Sequence, residues 1–186
     1  MPHHDHHQTR QAFPANRYPI VPALDQGQWL GCLAPHQSDG MRIPFCVRPL
    51  GFEIVDRDTI DRRDGVNLDK MGRGVLWLME MELANFRPGP FRSDYILKHL
   101  VIVDKMGFQY AKHDDMLLYL HTKFGCRTGL NSLYWEEMNP RIPYHGAALY
   151  LLPDDEREAY FLTVVNGLLR PLDSPAGIAG LLAEGN

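Results

Sequence analysis

The chain has 186 residues and a mass of 21.3 kDa, the length of one domain able to bury roughly 70% of its unfolded surface without disulfides or metal. Apolar residues make up 45% and charged residues 23%, which excludes a disordered, collagenous or low-complexity chain. A formal charge of −4 argues against nucleic-acid binding through bulk positive charge, and no run approaches the ~20 apolar residues of a membrane span, so neither partner is expected.

Four of the nine histidines fall within the first seven residues. Protonating all nine would carry the charge from −4 to +5, so the net charge is sensitive near pH 6. Residues 1–28 are polar and punctuated by Pro14, Pro19 and Pro22, which reads as an extended arm ahead of a single domain over 29–186. If Met1 is removed, the terminal amine, two backbone amides and the imidazole of His4 form a planar four-nitrogen set suited to Cu(II) or Ni(II). His6 and His7 would add weaker ligation, and the plainer reading is a polar tail that binds such metals incidentally. The first ten residues lack an apolar h-region, so no secretory signal is expected. Cys32, Cys46 and Cys126 are an odd set with no C-x-x-C, which fits a reducing cytoplasm.

Short strands are expected over Gln28–Leu33, across the apolar run Arg42–Arg48 between Pro44 and Pro49, and at Phe52–Val55. Asp56–Asp64 alternates in sign and reads as a solvated excursion. The clearest element is Val75–Leu83, where Val75, Trp77, Met79, Met81 and Leu83 share one face. The opposite face carries Leu76 and Leu78, then Glu80 and Glu82, so the strand should be buried fully on one side and for half its length on the other. Tyr95–Val103 reads as a long strand, with Asp104–Gly107 turning it into Phe108–Tyr110. Met116–Leu120 is open between strand and helix, Leu130–Met138 reads as helix, and Ala147–Leu152 as strand. Asp154 is placed to cap a helix ending at Asn166-Gly167, and Gly177–Ala183 to form a last one. The expected fold is therefore α+β, one domain with a central antiparallel sheet and two to three helices, mostly in the C-terminal half.

Strand alternation puts the Glu80 and Glu82 carboxylates on one face, with Cα atoms roughly 6.8 Å apart. That approaches the spacing at which two carboxylates divide acid and base roles, although the plainer reading is a strand emerging from cover so that the glutamates meet water. Lys98 and His99 are candidate acids, pointing to opposite faces if their segment is a strand. His113, Asp115, Leu117, Tyr119 and His121 would share a face if extended, yet no H-E-x-x-H or comparable zinc spacing occurs. Cys126, beside Arg127, is a weak nucleophile candidate without a fixed His partner. Trp77 and Trp135, with Trp29, Tyr134 and Tyr144, suit an apolar ligand pocket or simply a core. Trp77, Tyr119, His121 and Trp135 are taken as the candidate ligand-binding set.

Pro90–Asp94 with Leu100–Tyr110 looks like the opening of a PAS-type sensory domain, which implies a five-stranded sheet cupping a ligand. Phe52–Ile54, Leu78–Met81, Gly89–Phe91, Leu118–Leu120 and Gly129 fall in the order of similar pieces in acetoacetate decarboxylase-like proteins, which implies a Schiff-base lysine acting on a β-keto acid. The comparable place here reads Gly129-Leu-Asn131 and Met138-Asn-Pro-Arg141, with no lysine, so the catalytic implication does not carry over.

The leading expectation is a cytoplasmic domain, sensor or accessory, that binds a small organic ligand in a partly apolar pocket. Its rival is a cofactor-independent lyase, decarboxylase or isomerase of a small organic acid, with Glu80 or Glu82 as base and Lys98 or His99 as acid. A third is an interaction protein with a metal-binding arm of His4, His6 and His7. The cofactor is left unknown, and a homo-oligomer is left open.

Overall fold

The computed structural model describes residues 16–36, 40–60, 74–113, 131–132, 137–153 and 156–184. In chain order these give β1 (Tyr18–Pro19), α1 (Ile20–Asp25), β2 (Trp29–Pro35), β3 (Arg42–Val55), β4 (Val75–Asn85), β5 (Phe91–Arg92) and α2 (Ser93–Leu97). There follow β6 (Leu100–Asp104), β7 (Gln109–Tyr110), β8 (Asn131–Ser132), β9 (Glu137–Met138), β10 (Pro143–Leu152), β11 (Tyr160–Val164), β12 (Leu168–Leu172) and α3 (Ile178–Glu184). One sheet runs β12-β2-β3-β4-β10-β8, a second β1-β11-β6-β7, and β5 pairs with β9. All pairings between these strands are antiparallel except that of β10 with β8.

β4 follows the period-two pattern of its sequence. Trp77, Met79, Met81 and Leu83 are fully buried in the core, together with Phe45 and Val47 of β3, Tyr150 of β10, Ile102 of β6 and Leu162 of β11. The core therefore lies between the two larger sheets, as two half-apolar sheets must pack to remove those faces from water. The indole of Trp77 meets Phe52 edge-on at 5.2 Å and Tyr160 at 5.0 Å. Such contacts add about 1 kcal/mol each beyond burial. On the opposite face Leu76 and Leu78 are buried, Glu80 and Glu82 half-buried, and Ala84 is covered again. It packs with Leu33, Cys46, and Ile178 and Leu181 of α3, whose spacing of three puts them on one helix face.

β3 crosses both prolines without ending. Its register with β4 shifts between Pro49 and Gly51, so Leu50 is an extra residue in the ladder. That irregularity joins Arg42–Arg48 and Phe52–Val55, expected as separate strands, into one.

Several expected elements differ. Residues 16–28, read as the end of an extended arm, hold β1 and α1, with Ile20 and Ala23 fully buried in the core. The helix expected from Asp154 to Asn166 is instead a 3-10 turn at Arg157–Ala159 followed by strand β11. Tyr160, Leu162 and Val164 alternate into the core, a period of two inside a run of aromatic and β-branched residues. Asn166, with φ 52°, and Gly167 do not end a helix but turn the chain from β11 to β12 in the other sheet. A Cβ on Gly167 would run into the Leu33 carbonyl, which is why glycine stands there.

The long strand expected at Tyr95–Val103 is helix α2, a turn at Lys98-His99, and then β6. β6 does turn into β7 as expected, with Ile102 opposite Tyr110. Of the helix expected over Leu130–Met138, the described pieces Asn131–Ser132 and Glu137–Met138 are strands. The described helices are short and spread along the chain rather than gathered in its C-terminal half, so the fold is predominantly antiparallel sheet. Met116–Leu120 lies outside the described residues. Among those described, no helix is long and apolar enough to cross a membrane.

Candidate functional site

A cleft of about 320 Å³ opens where the ends of β2 and β3 approach β5 and α2. It is lined by Pro35, His36, Ile43, Phe91, Tyr95, Lys98 and His99. Its floor comes from the six-stranded sheet, because Ile43 belongs to the core-facing side of β3. Its volume is at the lower end of the range of small-molecule sites.

The aromatic wall depends on Asn85. This fully buried side chain ends β4, donating from Nδ2 to the carbonyls of Gly89 at 2.9 Å and Met138 at 3.1 Å. Its Oδ1 accepts from the Arg87 amide at 2.8 Å. The Arg87-Pro-Gly-Pro90 loop is thereby tied to β9, and Phe91, opposite Met138, is set at the cleft. An Asn that bonds the backbone two residues on is a local turn device, so the signal was present in Asn-Phe-Arg-Pro-Gly-Pro.

α2 supplies the other wall. Ser93 to Leu97 makes little more than one turn, with Ile96 and Leu97 buried in the core and Tyr95 left 44% exposed. The Lys98 amide donates to the Asp94 carbonyl at 3.1 Å and the His99 amide to that of Ile96 at 3.0 Å. The Val165 amide in turn donates to the His99 carbonyl at 2.9 Å, fixing the turn to the end of β11. A strand would have sent Lys98 and His99 to opposite faces. The turn brings both to one cleft.

Three nitrogen-bearing side chains therefore meet two rings. Phe91 and Tyr95 lie 5.7 Å apart at 45°, and His36 stands 6.1 Å from Phe91. Lys98 Nζ sits 4.6 Å above Tyr95. His99 is buried, and its Nε2 has no hydrogen-bond partner. Burial first, then the charge of Lys98 and then His36, holds its pKa below the ordinary 6.5. His99 is thus a neutral imidazole at neutral pH, able to donate or accept through one nitrogen each.

The other expected site residues are placed elsewhere. Glu80 and Glu82 lie on the outer face of β4, opposite in direction to Met81 and the core. Glu82 accepts from Arg48 Nε at 2.9 Å, and Glu80 meets His145 Nε2 at 2.6 Å. Arg48 also lies 4.8 Å over the ring of Trp29. These carboxylates lie on the outer face of β4 and the Lys98–His99 turn lines the cleft whose floor is the core-facing side, so the four residues do not converge. Trp77 is sealed in the core between Phe52 and Tyr160, away from the cleft lining. Tyr119, His121, Trp135, Tyr134, Cys126 and the metal candidates His4, His6 and His7 lie outside the described residues. Among the described residues no three His, Cys, Asp or Glu side chains gather as a metal ion requires. Pro35, His36, Ile43, Phe91 and Tyr95 are the described cleft residues that sequence reasoning missed.

No family model, curated protein or solved structure matches the chain.

Proposed function

We propose that this chain is a small-molecule-binding domain, a sensor or accessory protein, whose ligand occupies the cleft at Lys98 and His99. One observation carries the reading: apolar and aromatic walls surround a buried, unbonded imidazole and an ammonium in a cleft of ligand size. Sites of this kind take orientation from a few polar groups and affinity from apolar area. The rival lyase reading has no comparable support, since its carboxylates are bound to Arg48 and His145 on an open sheet face.

Crystallographic soaking with a library of small organic fragments tests this directly. Fragments should collect between Phe91, Tyr95 and Lys98. A set that leaves the cleft empty while occupying other surfaces overturns the assignment. Native mass spectrometry of protein from its own host then weighs any retained ligand.

A further inference from the structure

Resting on that binding reading, we propose that the cleft takes a small organic monoanion, a carboxylate carried on a flat apolar body, with Lys98 as its counter-charge and His99 and His36 as its polar neighbours. Among the described residues the lining contains no Asp or Glu. Lys98 is its basic side chain, and among the described residues no carboxylate pairs with it. The nearest acid in sequence, Asp94, is held by Arg92 through bonds of 2.9 and 3.1 Å. A second cation, Arg87, stacks 4.7 Å over Phe91, also without a carboxylate among the described residues. The protein therefore presents positive charge to this cleft that no carboxylate among the described residues compensates, an arrangement that favours an incoming anion.

Aromatic walls often bind cations, but not here. The ring faces are already in use: Arg87 covers Phe91, while Arg92 at 5.7 Å and Lys98 at 4.6 Å attend Tyr95. A cationic ligand would meet like charge on rings whose π density is engaged. The same rings, with Ile43 and Pro35, still offer edges and apolar area to a flat body.

The charge count separates a carboxylate from a phosphate ester. A phosphate monoester carries about −1.5 to −2 near neutral pH and is normally cradled by several backbone N–H groups. The Lys98 and His99 amides are both committed to carbonyls, and among the described residues the lining supplies one ammonium. That suits a single negative charge, with the imidazoles offering N–H donors to carboxylate oxygen.

Calorimetric titration of the full chain with phenylacetate, phenylacetamide, phenylethylammonium and phenyl phosphate tests the assignment. Phenylacetate should bind about tenfold or more tighter than the amide, the discrimination expected of a hydrogen-bonded charge. Lys98→Met should erase that preference, bringing acid and amide to similar affinity, and Lys98→Arg should keep it. Lys98 is exposed, so neither change disturbs packing, and an unaltered melting temperature verifies this. Amide or ammonium binding as tightly as phenylacetate overturns the anion while leaving the cleft as a binding site. Tighter phenyl phosphate overturns the monoanion. Failure of all four probes overturns both the anion and the binding reading.

Discussion

His145 and Glu80 meet diagonally across β10 and β4, with Nε2 2.6 Å from Oε1, although His145 stands opposite Glu82 in the ladder. Glu82 is taken by Arg48 from the other side, so the carboxylates form two separate pairs rather than one acid–base couple. Both pairs are partly exposed, with side chains between 22% and 40% accessible. Exposed pairs contribute about 0–1 kcal/mol. Glu80→Gln should therefore lower stability by under about 1 kcal/mol and leave phenylacetate affinity intact. Urea denaturation and calorimetry measure both, and a loss of binding would move the site to the outer sheet face.

Asn85→Ala should be far more damaging. It removes three hydrogen bonds from a fully buried position and strands the carbonyls of Gly89 and Met138. A loss of about 3 kcal/mol is expected, by the cost of unsatisfied buried polar groups. Since the same bonds set Phe91, binding should weaken even at temperatures where the variant stays folded. Affinity equal to that of the parent protein would show that Phe91 is positioned without Asn85.

The pH dependence has a definite sign. Burial, Lys98 and His36 lower the His99 pKa below 6.5 in the folded protein. The unfolded chain takes up this proton first, so stability falls as pH drops through 6.5 towards the folded value and falls no further below it. Thermal melts across this range should decline more steeply for the parent protein than for His99→Leu. Parallel slopes would mean that His99 titrates normally in the native state.

Cys32 and Cys46 are both buried. Desolvation raises the Cys32 thiol, with Cys46 adding to it, and pushes Cys46 up to about 12. Thiolate is the reactive form, so in a Cys126→Ser background neither should react with a thiol reagent near pH 8 until the chain is denatured. Rapid native labelling of either would contradict their burial.

How far the fold could be read depended on where period and context agreed. β4 was legible because nine residues alternate without interruption and both neighbours are strands, so local pattern and tertiary packing demand the same thing. β11 was not, because acidic residues after Pro153 imitate a helix start and Asn166-Gly167 a helix stop, while the five-residue alternation between them is short. Lys98 and His99 were singled out from the sequence as candidate acids on a strand, and their common turn was not foreseen. Ser93 to Leu97 is too short for a helical period to show, and the β-branched run after it extended the strand backwards. Partners from distant segments, such as Ile43 and His36, carry no chemical signature at all. They enter the cleft only because β2 and β3 bring them there.

The extra residue in β3 inverts the strand's parity. Before Leu50 the odd-numbered Ile43, Phe45 and Val47 face the core; after it the even-numbered Phe52 takes that side, opposite Met79 and against Trp77. Were Leu50 instead paired in regular alternation, inside and outside would swap along the rest of the strand, offering Glu53 to the indole in place of Phe52. One surplus residue lets a single strand serve the cleft floor at one end and the aromatic core at the other, each in its own phase.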